Sequence, residues 1–285
     1  MKRILVPYDF STVADNALDF ACQIAQKTSA DEVMMLNVVE HPSESRLKFM
    51  GVTQMDPAEN IYFTKLVQVV TTKLEEKISN ILYPGVNVTH KIQIGTPYNT
   101  LEKEVAEEDV EMVVMGSQGA EGVQEFFVGS NAEKVVRTAN CPVITIKNKV
   151  DIHAIKDLVF ASNFHELSDQ FVEKLIDFRE ILDADLKLVK INTPASFTTT
   201  RHDRKQMEDF VQKYDIDNFT IDIYNHTNEE EGIVYFAEDM EVDAIAMGTN
   251  QRKGFAHFLT GSIAEDVVNH AERPVWTLHL DYKKK

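Results

Sequence analysis

An eighteen-residue stretch of this chain has a second, similar copy. The segment GSNAEKVVRTANCPVITI (129–146) aligns without a gap on GSIAEDVVNHAERPVWTL (261–278). Upstream, VEMVVMG (110–116) answers VDAIAMG (242–248), and near the two starts KRILVPYDFS (2–11) answers KDLVFASNFH (156–165). A duplication on this scale fixes the architecture before any element is assigned, because each copy must fold to the same plan. The offset between copies is 154 at the front and 132 at the back, so the first carries 22 additional residues. The polar stretch Ser43–Phe63, with Gly51 and Pro57, is where they are expected. The 285 residues divide into domains at 1–148 and 154–281, joined by a short segment near Asn148–Ile155 that predicts close packing.

Within each copy, short apolar runs alternate with helical patterns. RILVPY reads as a buried strand. The helix after it has Ala14, Ala17, Leu18, Ala21, Ile24 and Ala25 on one face, with Ser11 as N-cap. EVMMLNVVE, VNVTHKIQI, MVVMG and PVITIK supply four more strands, with helices near 58–82, 97–108 and 130–139 between them. Strands without polar alternation, separated by helices, predict an α/β fold of two tandem doubly wound parallel-sheet domains, each with five strands and four helices.

A net charge of −17 disfavours nucleic acid and anionic membrane as partners, since both need clustered Lys and Arg. The basic stretches RHDRKQ (201–206) and YKKK (282–285) read as solvated loop and terminus. No run approaches 18 apolar residues, and MKRILVPYDF lacks a signal-peptide core, so a cytoplasmic location is expected. Cys22 and Cys141 give no disulfide framework and read as small core residues.

Four of the 11 glycines fall in one loop, at Gly116, Gly119, Gly122 and Gly129, between the strand MVVMG and a helix opening at Ser130. Open α/β sheets hold ligands outside the carboxyl ends of their strands, and glycines let backbone N–H groups face an anion at a helix N-terminus. The same residues admit a plainer reading. Ser130-x-x-Glu133 and Ser262-x-x-Glu265 are capping boxes that need no ligand. The spacing is neither G-x-x-x-x-G-K-[ST] nor G-x-G-x-x-G, and no lysine is placed for phosphoryl transfer.

Gly116-x2-Gly119-x9-Gly129-Ser130, together with VPYDFS (6–11) and ANCPVITI (139–146), resembles the signature of the universal stress protein family over nearly the whole chain. The resemblance implies an adenine nucleotide alpha hydrolase-like sheet of strand order 3-2-1-4-5, with ligand between strands 1 and 4. It implies ATP or another adenine nucleotide as ligand, with Mg or Mn as candidate counter-ions. Asp9 would approach the adenosine, Val38 would meet adenine through its backbone, Met115 and Gly116 would floor the site, and Gly119, Gly129, Ser130 and Asn131 would surround the phosphates. Without the family, Asp9 is a capping carboxylate, and Val38 and Met115 are core. The family also implies pairing of last strands, here inside one chain with Trp276 near the seam, and a homodimer is a further candidate assembly.

The second copy departs from the signature. Asn163 stands for Asp9, His165 for Ser11 and Gln251 for Gly119, although Gly248, Gly261 and Ser262 remain. The expectation is one competent nucleotide site and one degenerate site, in a stress-response or signalling module with little or no turnover. The alternatives are a nucleotide-free interaction scaffold and a slow ATP hydrolase. The hydrolase is disfavoured because no catalytic base, nucleophile pair or Lys/Arg clamp can be identified and the SGGxDS loop of the sister ATP-cleaving enzymes is absent.

Overall fold

A computed structural model describes residues 1–40, 57–107, 109–117, 130–165, 167–249 and 263–282. The first half runs β1 (Arg3–Pro7), α1 (Thr12–Thr28), β2 (Glu32–Val39), α2 (Pro57–Ser79), β3 (Val88–Ile94), α3 (Pro97–Glu107), β4 (Val110–Gly116), α4 (Ser130–Thr138) and β5 (Val143–Ile146). After a short 3-10 turn at Ile152–Ala154, the second half runs β6 (Asp157–Ala161), α5 (Asp169–Leu182), β7 (Asp185–Asn192), α6 (Thr200–Lys213), β8 (Phe219–Asn225), α7 (Glu229–Asp239), β9 (Ala244–Thr249), α8 (Ile263–His270) and β10 (Val275–His279).

The strands are ordered β3-β2-β1-β4-β5-β10-β9-β6-β7-β8. The expected order 3-2-1-4-5 is that of the first five, and the second five repeat it in reverse across the sheet. The two expected sheets are therefore one ten-stranded sheet, parallel except where β5 meets β10. There Val275, Trp276 and Thr277 lie opposite Thr145, Ile144 and Val143. The hydroxyls of Thr145 and Thr277 donate reciprocally to the carbonyls of Val275 and Val143, at 3.4 and 3.3 Å.

Helices α1, α2, α5 and α6 cover one face, contributing Leu18, Leu74, Phe178 and Met207 to its core. Helices α3, α4, α7 and α8 cover the other, with Leu101, Val135, Phe236 and Val267. Apolar burial on both faces is why the strands lack polar alternation. Ser11 caps α1, its hydroxyl accepting from the Ala14 N–H at 3.1 Å. The cap of α5 is Ser168, three residues beyond the counterpart of Ser11.

The seam is packed on both faces. Trp276 is 1 % exposed, stacked on Phe178 at 5.8 Å and edge-on to Phe171. Lys27 on α1 donates to the Ile181 carbonyl at the end of α5 (2.9 Å), a favourable place for a cation at a helix C-terminus. On the opposite face, Lys147 donates to the Asn269 carbonyl at 2.8 Å and Arg137 approaches Glu265 at 3.6 Å.

One sequence expectation is corrected. The stretch 201–206 is not a solvated loop but the first turns of α6, and Asp203 within it is fully buried. A loop reading followed from its charge density, whereas helical spacing sends Asp203, Met207 and Phe210 inward. The stretch 41–56, which holds most of the expected insertion, lies outside the described residues.

Both cysteines are buried free thiols, and burial pushes each pKa up to about 12. Native protein should therefore fail to react with a disulfide thiol reagent at pH 8, and release two equivalents on denaturation. Because folding raises the thiol pKa, this contribution to stability is present below the ordinary thiol value near 8.5 and falls as pH rises above it. Rapid reaction of one thiol in the native state would contradict the packing.

Candidate functional site

The carboxyl ends of β2, β1 and β4 lie side by side, and each delivers a residue expected at the ligand. Pro7 pairs with Leu36 and Leu5 with Val113, so Asp9, Val38 and Gly116 emerge at one rim of the sheet. Order reverses between β1 and β4, one leading outward to β2 and the other to β5, and this leaves a crevice above the strand ends.

The turn after β1 is tightly specified. Asp9 Oδ1 accepts from the Ser11 N–H at 3.0 Å, and Phe10 takes a left-handed backbone conformation at φ 66°. Asn37 on β2 donates to the Tyr8 carbonyl at 2.7 Å, and the Tyr8 N–H donates to the Leu36 carbonyl at 2.9 Å. Beneath the turn the Tyr8 hydroxyl bonds Asp15, which also pairs with Lys77 at 2.7 Å. Burial, then the Asp15 hydrogen bond, raise the Tyr8 phenol far above its ordinary range, so it stays a donor. The result is an exposed Asp9 carboxylate on a turn fixed from three sides.

Val38 is half-buried, Met115 is buried and Gly116 is partly exposed at the end of β4. Ser117 follows, 1 % exposed; its N–H donates to the Ile146 carbonyl, and its hydroxyl has no partner among the described residues. Helix α4 begins at Ser130, with Asn131 half-buried in its first turn. Thus Asp9, Val38, Met115, Gly116 and Asn131 lie at one rim. Gly119 and Gly129 lie outside the described residues, as does the Ser130 side chain. Sequence reading missed Tyr8, Asn37 and Ser117. A buried polar residue at a strand's carboxyl end is the signal that could have found the last two.

The second half repeats the frame and changes the contents. Asn163 Oδ1 accepts from the His165 N–H at 3.0 Å, and Phe164 has φ 58°, the same turn with an amide for a carboxylate. Phe10 is 39 % exposed but Phe164 only 8 %, packed between Phe160 and Phe210 at 5.6 and 5.3 Å. Gln206 on α6 donates to the Phe164 carbonyl at 3.2 Å. In the register of β6 and β7, Lys190 takes the place of Asn37. Its ammonium is buried and donates to Asp203 and to Thr198, both at 2.6 Å. A Cβ on Gly248 would come within 2.0 Å of the Leu280 side chain, so this retained glycine has a packing reason of its own. Gln251, His257, Gly261 and Ser262 lie outside the described residues; His270 ends α8, its Nδ1 2.8 Å from the Asp266 carbonyl oxygen.

Among the described residues, no three His, Cys, Asp or Glu side chains converge as a metal-ligand set, and no helix is long and apolar enough to cross a membrane.

Comparison with known proteins gives the same family for both halves. The sequence profile of the Universal stress protein family matches residues 1–147 and again 154–279. Universal stress protein MJ0577 of Methanocaldococcus jannaschii is 30% identical over 156 residues, which is 52% of this chain and 96% of that protein. A putative universal stress protein of Staphylococcus haemolyticus is 26% identical over 52% of this chain and 86% of its own length. The crystal structure of a universal stress protein from Archaeoglobus fulgidus superposes with a TM-score of 0.75 at 19% identity, covering 98% of this chain and 96% of the other, so the fold is shared over both halves. With the profile matched twice in tandem and the strand order of each half in place, this chain belongs to the universal stress protein family.

Proposed function

We propose that the chain is an adenine-nucleotide-binding module of stress response or signalling in the cytoplasm. In this reading residues 1–148 hold ATP with little or no turnover, and residues 154–281 carry a degenerate site. The observation that carries it is the contrast between two copies of one turn. The hydrogen-bonded frame is the same at Asp9–Ser11 and Asn163–His165. Both residues are exposed, but the first is a carboxylate followed by an exposed Phe10 and the second a neutral amide followed by a buried Phe164, with a buried Lys190–Asp203 pair at the register place of Asn37.

The residues of the first crevice suit such a ligand. Asp9 offers acceptors to the hydroxyl or amino groups of an adenosine, and Val38 offers backbone groups beside an apolar wall. The buried hydroxyl of Ser117 has no partner among the described residues, and the first turn of α4 presents backbone N–H groups at its positive end. Gly116, Gly119, Gly129, Ser130 and Asn131 would surround the phosphates, and a Mg or Mn ion would neutralise charge that this acidic chain does not. No residue is assigned to proton abstraction or nucleophilic attack.

Calorimetric titration with ATP should give a stoichiometry near one. Asp9→Asn, which rebuilds the second-half turn in the first half, should weaken binding by about tenfold, the loss of one hydrogen bond to a charged acceptor. A stoichiometry near two, or no binding, would overturn the reading.

The buried Lys190–Asp203 pair of the second half makes a separate prediction. Asp203→Ala strands the buried Lys190 ammonium and should cost about 3–5 kcal/mol, read from urea unfolding. The paired replacement Lys190→Met with Asp203→Leu should recover most of that loss. ATP stoichiometry should be the same in both variants.

A further inference from the structure

The backbone groups of β2 face its two neighbours alternately. The Val33 N–H donates to the Asn87 carbonyl and the Val39 carbonyl accepts from the Gly95 N–H, so the odd-numbered residues face β3. The Glu32 N–H donates to the Lys2 carbonyl and the Leu36 carbonyl accepts from the Tyr8 N–H, so the even-numbered residues face β1. Val38 therefore turns both its N–H and its C=O toward β1. With Pro7 opposite Leu36, a continued parallel ladder would give the Val38 N–H to the Tyr8 carbonyl and the Val38 C=O to the Phe10 N–H. Neither bond is made. Phe10 leaves the strand for the turn at φ 66°, and the Tyr8 carbonyl is taken by the Asn37 side chain at 2.7 Å. One donor and one acceptor of a single residue are left side by side at the rim, facing the turn that carries Asp9 and without a partner among the described residues.

Asn37 is 8 % exposed. It precedes Val38 as Tyr8 precedes Asp9, so one side-chain hydrogen bond ties together the residues before both expected contacts of an adenosine. A carbonyl without a donor would burden any ligand that covered it, because the ligand would strip its water and return no hydrogen bond. The Asn37 amide supplies that bond in advance and sets the distance from the Asp9 turn to Val38. The second half stops its ladder at the same step, with the Ser162 N–H on the Val189 carbonyl at 3.1 Å. There the position of Asn37 holds Lys190, whose ammonium goes to Asp203 and Thr198 instead. That turn is held from the helix side, by Gln206 on the Phe164 carbonyl.

We propose, resting on the nucleotide reading of the first crevice, that Asn37 is a positioning residue for the base of the bound nucleotide: it holds Tyr8 so that the Val38 N–H and C=O stay open as a donor–acceptor pair. Adenine suits such a pair, since its amino group donates beside a ring nitrogen that accepts. Asn37 touches no ligand atom and acts through the Tyr8 carbonyl.

Full-length protein, ATP and substitutions at Asn37 test this. Asn37→Leu keeps the volume and removes the donor, and should weaken ATP binding about tenfold, the weight of one hydrogen bond. Asn37→His restores an N–H at similar reach from the backbone and should stay within about threefold of the wild type. At saturating ATP the Val38 amide should be protected from hydrogen exchange in the wild type and in Asn37→His. In Asn37→Leu it should go on exchanging, because the phosphates are bound while the base is not seated. A purely structural role would lower the unfolding midpoint and leave this protection unchanged. Undiminished affinity in Asn37→Leu, an equal loss in Asn37→Leu and Asn37→His, or equal protection of Val38 in all three proteins would overturn the proposal alone. Failure of the wild type to bind ATP would overturn the nucleotide reading and this proposal with it. Asn37→Ala carries the same expectations if Asn37→Leu does not fold.

Discussion

The antiparallel contact between β5 and β10 is the interaction on which the rest of this molecule depends. A doubly wound domain of this order ends on a short apolar strand whose outer N–H and C=O groups are unpaired, an arrangement that invites aggregation. Here the strand is Val-Ile-Thr-Ile in one half and Val-Trp-Thr-Leu-His in the other, buried throughout. Each closes the other's edge. The reciprocal threonine bonds, the stacking of Trp276 on Phe178 and the Lys27 cap on α5 are consequences of bringing two equal surfaces together about an axis. The outer edges of the combined sheet are β3 and β8, only partly buried and interrupted by polar residues such as His90, Lys91 and Asp222.

Much of this was legible because the sequence states it twice. Apolar runs without alternation, separated by helices, require a sheet covered on both faces, and the helix face of Ala14, Ala17, Leu18 and Ala21 is buried as its spacing demands. The candidate residues Asp9, Val38, Met115 and Gly116 meet because parallel strands in this order must end on one rim. What could not be read was specific to side-chain environment. Nothing in DFS or NFH says that the phenylalanine adopts a positive φ, which glycine or asparagine would take more readily; the Asx hydrogen bond and the packing of the ring impose it. Nor does RHDRKQ announce that one of its charges is buried. Asp203 is intelligible only with Lys190, thirteen residues earlier on another element.

The two copies also separate frame from contents. Hydrogen bonds that shape the β1 and β6 turns survive the exchange of Asp9 for Asn163, since carboxylate and amide oxygens accept the same backbone N–H. Net charge, aromatic exposure and the residue at the Asn37 position do not survive it. The second copy places a buried Lys190–Asp203 pair and a buried Phe164 where the first has Asn37 and an exposed Phe10, while both copies contribute equally to the seam. Retention of Gly248 does not by itself mark a ligand site, because a Cβ there would meet the Leu280 side chain.

The direction of the seam strands sets how this protein can be approached. With β5 and β10 running oppositely, the carboxyl rims of the two halves face away from each other, at a lateral separation of about 20 Å across the intervening strands. A small adaptor that touches the mouth of one crevice is on the wrong side of the slab to touch the other. The two carboxyl rims are therefore separate surfaces, and what binds at one is held apart from what binds at the other.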